Sequence, residues 1–319
     1  MNSTTTTTTT SNNITTSFTD ALSYYIVCSI SAGFGLIAII LCLMIIILVK
    51  RTKPRLHTIR HLLICNTCIA SIFYCLMQSL NYAFLIFLPG ETSDVGCRWR
   101  GYFAYMSISA SIYSYLVQAV SRLFYSVSGT KHQKLITFKS HYIMISIHWL
   151  VVIILPLPSV ITTDIYFRPG LLCWVPFKHT LHVLYTVCAY YLTSIICITI
   201  IYVYIYLRVK RARQHAANML HALHDKRDLE VLRNIVILLA IYISGGIPTI
   251  IFLVSSLETC YLLGIVTFTF TVVLEKIFTI ILDRDLRITV RELIWHKNRV
   301  LPFAVIQPTI RYDLDRTRS

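Results

Sequence analysis

Glu275 and Lys276 interrupt a run of aliphatic and aromatic residues, and Arg122 closes the stretch from Cys97 to Tyr125, CRWRGYFAYMSISASIYSYLVQAVSRLFY. Charges kept at such depth in apolar sequence face a bundle interior or a water-filled cavity, where they pair, switch or form a path. Cys97 places an oxidisable thiol 25 positions before Arg122. At about 1.5 Å per residue a helix joining them is roughly 37 Å long, the depth of a bilayer with part of its interfaces. An ordinary spanning helix whose Arg122 snorkels to headgroups would give the same pattern. Metal-ligand spacing, a phosphate-binding glycine loop and a nucleophile elbow are absent. Neither enzymatic chemistry nor a cofactor nor a metal is expected.

The elements that must position these residues are apolar. The 319 residues are 56% hydrophobic and 13% charged, with a mean hydropathy of +0.67, which excludes a soluble globular domain. A net charge of +15 is spread between apolar runs rather than gathered on one domain, so it speaks of topology and not of nucleic acid. The runs are 24–49, 62–88, 102–124, 141–162, 181–207, 232–254 and 262–282, each near the length that spans a bilayer. Of 29 lysines and arginines, the segments on one side carry four, Arg98, Arg100, Arg168 and Lys178. The positive-inside rule then puts the N-terminus outside and the C-terminus inside.

Residues 1–23 form a Thr-rich tail with too few apolar side chains for a core, expected to be disordered and extracellular. Asn2-Ser3-Thr4 and Asn13-Ile14-Thr15 are glycosylation acceptor patterns on that side. Seven of the ten cysteines lie within apolar runs; Cys97, Cys173 and Cys260 fall on the outward side. Cys97 with Cys173 would tie the top of the third helix to the second outward loop, leaving Cys260 unpaired. Residues 283–298 place Leu286, Val290, Leu293 and Ile294 at helical spacing among charges, a short amphipathic helix on the inner membrane face, and 299–319 are a cytoplasmic tail. The fold class is therefore all-α: a polytopic seven-helix bundle with an amphipathic eighth helix.

This ordered set resembles the rhodopsin-like (class A) G-protein-coupled receptors over residues 24 to about 296. Ser121-Arg122-Leu123 stands for the family's Asp-Arg-Tyr, at the family's spacing from Cys97. Trp149 matches the fourth-helix tryptophan, Cys173 the bridging cysteine and Tyr202 the inner tyrosine of the fifth helix. Pro248 in Gly245-Gly246-Ile247-Pro248 matches the sixth-helix proline, with Tyr242 where a phenylalanine is usual. Departures accompany these matches: Ser121 replaces the acid beside the arginine, Ser71 the sodium-holding aspartate, Gly246 the toggle tryptophan and Ser194 the fifth-helix proline. Glu275-Lys276-Ile277-Phe278-Thr279 fills the place of Asn-Pro-x-x-Tyr.

The resemblance implies that Arg122 is held inward at rest. Asp228, 20 positions before Pro248, is the acid expected to pair with it as an inner lock, against the plainer reading of a solvated loop acid. Tyr202 belongs to the same coupling region, and Pro248, Tyr242, Gly246, Glu275 and Lys276 to the activation switch. Glu275 and Lys276 point about 100° apart on a helix, so they are not expected to pair with each other. Glu275 would replace the acid lost at Ser71, with Asn66 or water as partner; a protonated Glu275 beside a snorkelling Lys276 is the plain alternative. Ala104 stands where amine receptors carry aspartate and Thr269 where opsins carry the retinal lysine, arguing against both ligands. Ala104, Tyr105, Tyr113, Tyr190, Tyr191 and Trp174 would line an outer pocket that leans to a peptide or uncharged ligand.

The implied function is a plasma-membrane receptor passing the binding of an extracellular ligand to a heterotrimeric G protein. A non-coupling decoy or scaffold is the alternative, and a seven-helix transporter or channel a further one. Basic clusters at 50–60 and 208–213 could meet anionic lipid or the G protein, although positive-inside topology alone accounts for them.

Overall fold

Leu36, Ile40, Leu150 and Ile200 are each more than half exposed, a surface that only a hydrocarbon solvent supports. The computed structural model of the chain describes residues 8–52, 56–88, 93–127, 136–168, 172–176, 178–215, 237, 240–241, 243–252, 255 and 257–295. Among them there is no strand. The helices are α1 Thr8–Arg51, α2 Ile59–Phe87, α3 Asp94–Val127, α4 Phe138–Ile154, α5 Leu157–Ile161, α6 Thr180–Thr186, α7 Thr193–His215, α8 Ile243–Phe252, α9 Glu258–Leu282 and α10 Arg284–Trp295. Five described spans are long and apolar enough to cross a membrane: Leu22–Arg51, Ile59–Phe87, Phe138–Ile161, Thr180–Arg208 and Thr259–Leu282.

α3 is the hub, packing against α2, α4, α5 and α7. Its low apolarity has a cause. Ser107, Ser109 and Ser114 are buried and return their hydroxyls to carbonyls three residues back, while Ser111 donates to the Ala70 carbonyl of α2 at 3.3 Å. Small side chains that close their own hydrogen bonds let helix backbones approach. α1 packs on α2 and α9, and α10 on α9 and α1. Two glycines set the α8–α9 contact: a Cβ on Gly245 would lie 2.5 Å from Thr271 Oγ1, and one on Gly264 2.7 Å from Thr249 Oγ1.

Several boundaries differ from expectation. α1 begins at Thr8, so residues 8–23 are helical and not the disordered tail the composition implied. Extending a helix from a long apolar span adds one hydrogen bond per residue without a new nucleus, which outweighs the modest propensity of threonine. Cys97 sits inside α3, whose start is capped by Ser93 Oγ accepting from the Gly96 amide at 3.1 Å. The run 141–162 is broken at Pro156, which caps the short α5. The fifth span contains a π-helical turn, Val187–Leu192, between α6 and α7. Asp228, Tyr242 and Asn2 lie outside the described residues, and the Asn13 side chain is likewise undescribed.

Candidate functional site

The two ends of the bundle hold different chemistry. One end carries the disulfide between Cys97 and Cys173; Cys260 is a free thiol. Gly101 is what lets the loop close over α3, since a Cβ there would lie 2.7 Å from both the Cys173 carbonyl and Ile165 Cδ1. Below the loop lies a cavity of about 170 Å³. Tyr105, Tyr190, Tyr191, Trp174 and Gly246 line it, as do Gln78 and Arg168. The π-turn explains how the consecutive Tyr190 and Tyr191 both reach it: an extra residue per turn rotates the helix surface locally. Trp174 meets Tyr105 edge-on at 5.1 Å. Two expected members are elsewhere. Ala104 is fully buried and not part of the lining. Tyr113 gives its hydroxyl to the Ala189 carbonyl at 2.7 Å. Thr269 is bonded to Ser31 at 2.8 Å and to the Tyr74 hydroxyl at 3.4 Å.

The opposite end is ionic. Asp283 terminates α9 and starts α10, its Oδ1 accepting from the Asp285 and Leu286 amides at 3.0 and 3.1 Å. Arg60 of α2 reaches Asp283 Oδ2 at 3.1 Å, with His61 Nε2 at 3.8 Å. Burial opposes ionisation of Asp283, but His61, the Arg60 guanidinium and the Leu286 amide together hold its carboxyl below the usual carboxylate range. His61, Asp283 and Asp285 offer ligand atoms within 4.8 Å of one another, yet Arg60 already supplies the positive charge a metal would bring.

One turn or more deeper, Lys276 Nζ lies 2.9 Å from both Glu275 oxygens, and the two residues are 1% and 4% exposed. Adjacent residues therefore do pair, contrary to the 100° argument. The four-methylene lysine stem curls back to its neighbour, and no other acid is brought to it among the described residues. Lys276 does not snorkel, and Asn66 is not Glu275's partner: it accepts from Trp149 Nε1 at 3.1 Å. Ser71 is buried with an unpartnered hydroxyl.

Glu275, Lys276, Arg60, Asp283, Gln118 and Arg122 border a common cavity of about 40 Å³. That space holds water but little more. Arg122 Nη1 is buried there without a hydrogen-bond partner. Its neighbour Ser121 turns away to His141 of α4, with Oγ 2.8 Å from Nε2. His141 Nδ1 lies 2.9 Å from the Thr137 carbonyl; a carbonyl only accepts, so Nδ1 carries the proton and, in the neutral ring, Nε2 accepts from Ser121. Tyr202 is buried against Ala119 and Leu123 of α3, beside this region. Three cations face two carboxylates here; Arg122 lies within the field of Asp283 but forms no ion pair among the described residues.

Sequence reasoning missed Gln78, Gln118, Arg60, Arg168 and Asp283 as site members. A glutamine inside an apolar run was the available signal for Gln78 and Gln118, since an amide left in hydrocarbon needs a reason.

A bundle of long apolar helices capped by a disulfide-bound loop, with an aromatic cavity at that end and a buried ionic cavity at the other, defines a polytopic membrane protein. The family model described as 7 transmembrane receptor (rhodopsin family) matches residues 41–279, well over half of the chain. The chain belongs to that family. No curated protein matches it closely enough to count as a relative.

Proposed function

We propose that this receptor binds an extracellular ligand in the aromatic cavity and passes the event through α3 to a heterotrimeric G protein at the Asp283 end. The disulfide end faces outward in this reading, with Asn2 and Asn13 as glycosylation acceptors and α10 along the inner leaflet of the plasma membrane. The observation that carries it is Arg122: its Nη1 is buried without a partner, on α3, which with α2 and α9 lines both cavities. At rest Asp228 closes over Arg122; ligand binding shifts the population toward a state in which the arginine is released. Pro248 and the glycines beside it provide the bend at which α8 moves, and Tyr242 belongs to the same switch.

Nucleotide exchange on a purified heterotrimer tests this. The receptor in lipid nanodiscs is expected to accelerate exchange, and Arg122→Ala to abolish the acceleration. Exchange at the rate of empty nanodiscs for both proteins would favour a receptor that binds without coupling, for which the engagement of Ser121 by His141 rather than by a partner of Arg122 is the supporting observation.

A further inference from the structure

Four polar atoms in the disulfide-end cavity have no hydrogen-bond partner among the described residues: both amide atoms of Gln78, Nε of Arg168 and Nε1 of Trp174. Gln78 is 2% exposed, so bulk water does not serve it. Leaving several buried polar groups unpaired in one cavity is costly unless something arrives to bond them. Their chemistry is specific. Arg168 is the one Lys, Arg, His, Asp or Glu side chain among the described lining residues. Its Nη2 already donates to the Trp174 backbone carbonyl at 3.3 Å, which ties the guanidinium to that residue. Nε–H and the indole N–H then remain as two donors for an acceptor of negative charge. Gln78 presents one donor and one acceptor together, the complement of an amide group. The remaining walls are aromatic and aliphatic, with Tyr74 and Phe268 meeting edge-on at 5.1 Å.

We propose that the cavity takes an N-acylated aromatic amino acid with a free carboxylate, held at the carboxylate by Arg168 and Trp174 and at the amide by Gln78. The proposal rests on the receptor reading above and deepens it to a ligand class. A single cation fits a monoanion; a phosphate dianion would bring uncompensated charge into an apolar site, and an amine would find no acid to meet it. Such a group occurs as a free small molecule or as the C-terminal residue of a peptide, and the chemistry recognised is the same.

Binding to the purified receptor in nanodiscs, read without G protein, separates failure of this inference from failure of coupling. The probes are N-acetylphenylalanine, its carboxamide, phenethylamine and the tetrapeptide Gly-Gly-Gly-Phe with a free C-terminus. Wild type is expected to bind the acid roughly tenfold more tightly than the carboxamide, as one charge-assisted hydrogen bond provides, and phenethylamine not at all. Arg168→Gln loses the preference for the acid; Arg168→Lys, which keeps a charge without the fork, retains part of it. Gln78→Leu weakens the acid and its carboxamide alike. Thermal unfolding of each variant shows that it is folded. Tighter binding of the tetrapeptide or of N-acetylphenylalanine identifies the source. Equal affinity of acid and carboxamide for wild type, unchanged binding by Gln78→Leu, or no binding of either acid would each overturn the proposal.

Discussion

Lys276 and Glu275 form the most deeply buried ion pair described in the protein, and their value to it is conditional. Two charges moved out of water lose several kcal/mol of hydration each, which their mutual attraction only just repays. Removing one partner is therefore worse than removing both. Glu275→Gln is expected to destabilise the receptor by about 3–5 kcal/mol, and Lys276→Met to do the same by exposing a lone carboxylate to apolar surroundings. The double variant is expected to recover most of the loss, measured as thermal unfolding in nanodiscs in a double-mutant cycle. Additive losses would mean that the two charges do not depend on each other. The sequence marked both residues as unusual but misjudged their relation, because side-chain direction on a helix constrains Cβ and not the end of a long flexible stem. Asp283 lay in plain view as the end of the last apolar run. That its carboxylate stops one helix, starts the next and receives Arg60 from α2 depends on a contact more than two hundred residues away, which no local pattern records. Its carboxyl is held below the usual range in the folded state despite burial. A group with a depressed folded pKa contributes stability that is fully present above its unfolded value, about 4, and lost as pH falls through the folded one. Wild type should thus lose thermal stability on acidification below about pH 4 more steeply than Asp283→Asn, which starts lower and has a flatter acid limb. Parallel acid limbs would contradict the assignment.

At the scale of elements, the apolar runs located most of the helices, since spans of this length are dictated by the bilayer and by the need to satisfy backbone groups internally. What lay beyond that reading was local geometry. The whole of 141–162 reads as one run by hydropathy, which passes over the break at Pro156. The π-turn at Val187–Leu192 has no sequence mark comparable to a proline, so the shared placement of Tyr190 and Tyr191 was legible only as a tyrosine pair. The closeness of α8 and α9 was hidden for a similar reason: glycine says that a Cβ is missing, and not what comes near. Gly245→Val is expected to push α8 from Thr271, costing about 1–3 kcal/mol in thermal stability as overpacking does, and to lower ligand binding because α8 lines the aromatic cavity through Gly246. A Gly245→Val receptor with wild-type unfolding would show that the two helices are not in tight contact. Gly246 is more tolerant, since a Cβ there meets only Tyr191 Cε1 at 3.3 Å, so Gly246→Ala should perturb the cavity while leaving the fold intact.

At the scale of the molecule, two cavities of opposite character are joined by α2, α3 and α9, which line both. The aromatic cavity has unpartnered polar groups that a ligand would satisfy; the ionic cavity has an arginine that a partner would satisfy. A ligand shifts the receptor only by its differential affinity for the two states, and the proposed resting lock, about 1–3 kcal/mol, would set how much is needed. The departures from the family pattern acquire physical content here. Ser121 has its own partner in His141, so Arg122 has no adjacent acid, and the proposed lock calls on a distant one. The seventh-helix motif is replaced by an ion pair between adjacent residues. The first substitution removes a carboxylate, and in the second the added carboxylate of Glu275 is met by Lys276; in the proposed account the lock therefore rests on Asp228. The direct test is basal G-protein activation in cells at matched surface expression, for wild type, Asp228→Ala, Arg122→Ala and the double variant. Asp228→Ala should raise the basal signal above wild type, while Arg122→Ala and the double variant should fall to the level of untransfected cells. Asp228→Ala at or below wild type, or a double variant that signals as Asp228→Ala does, would contradict the account.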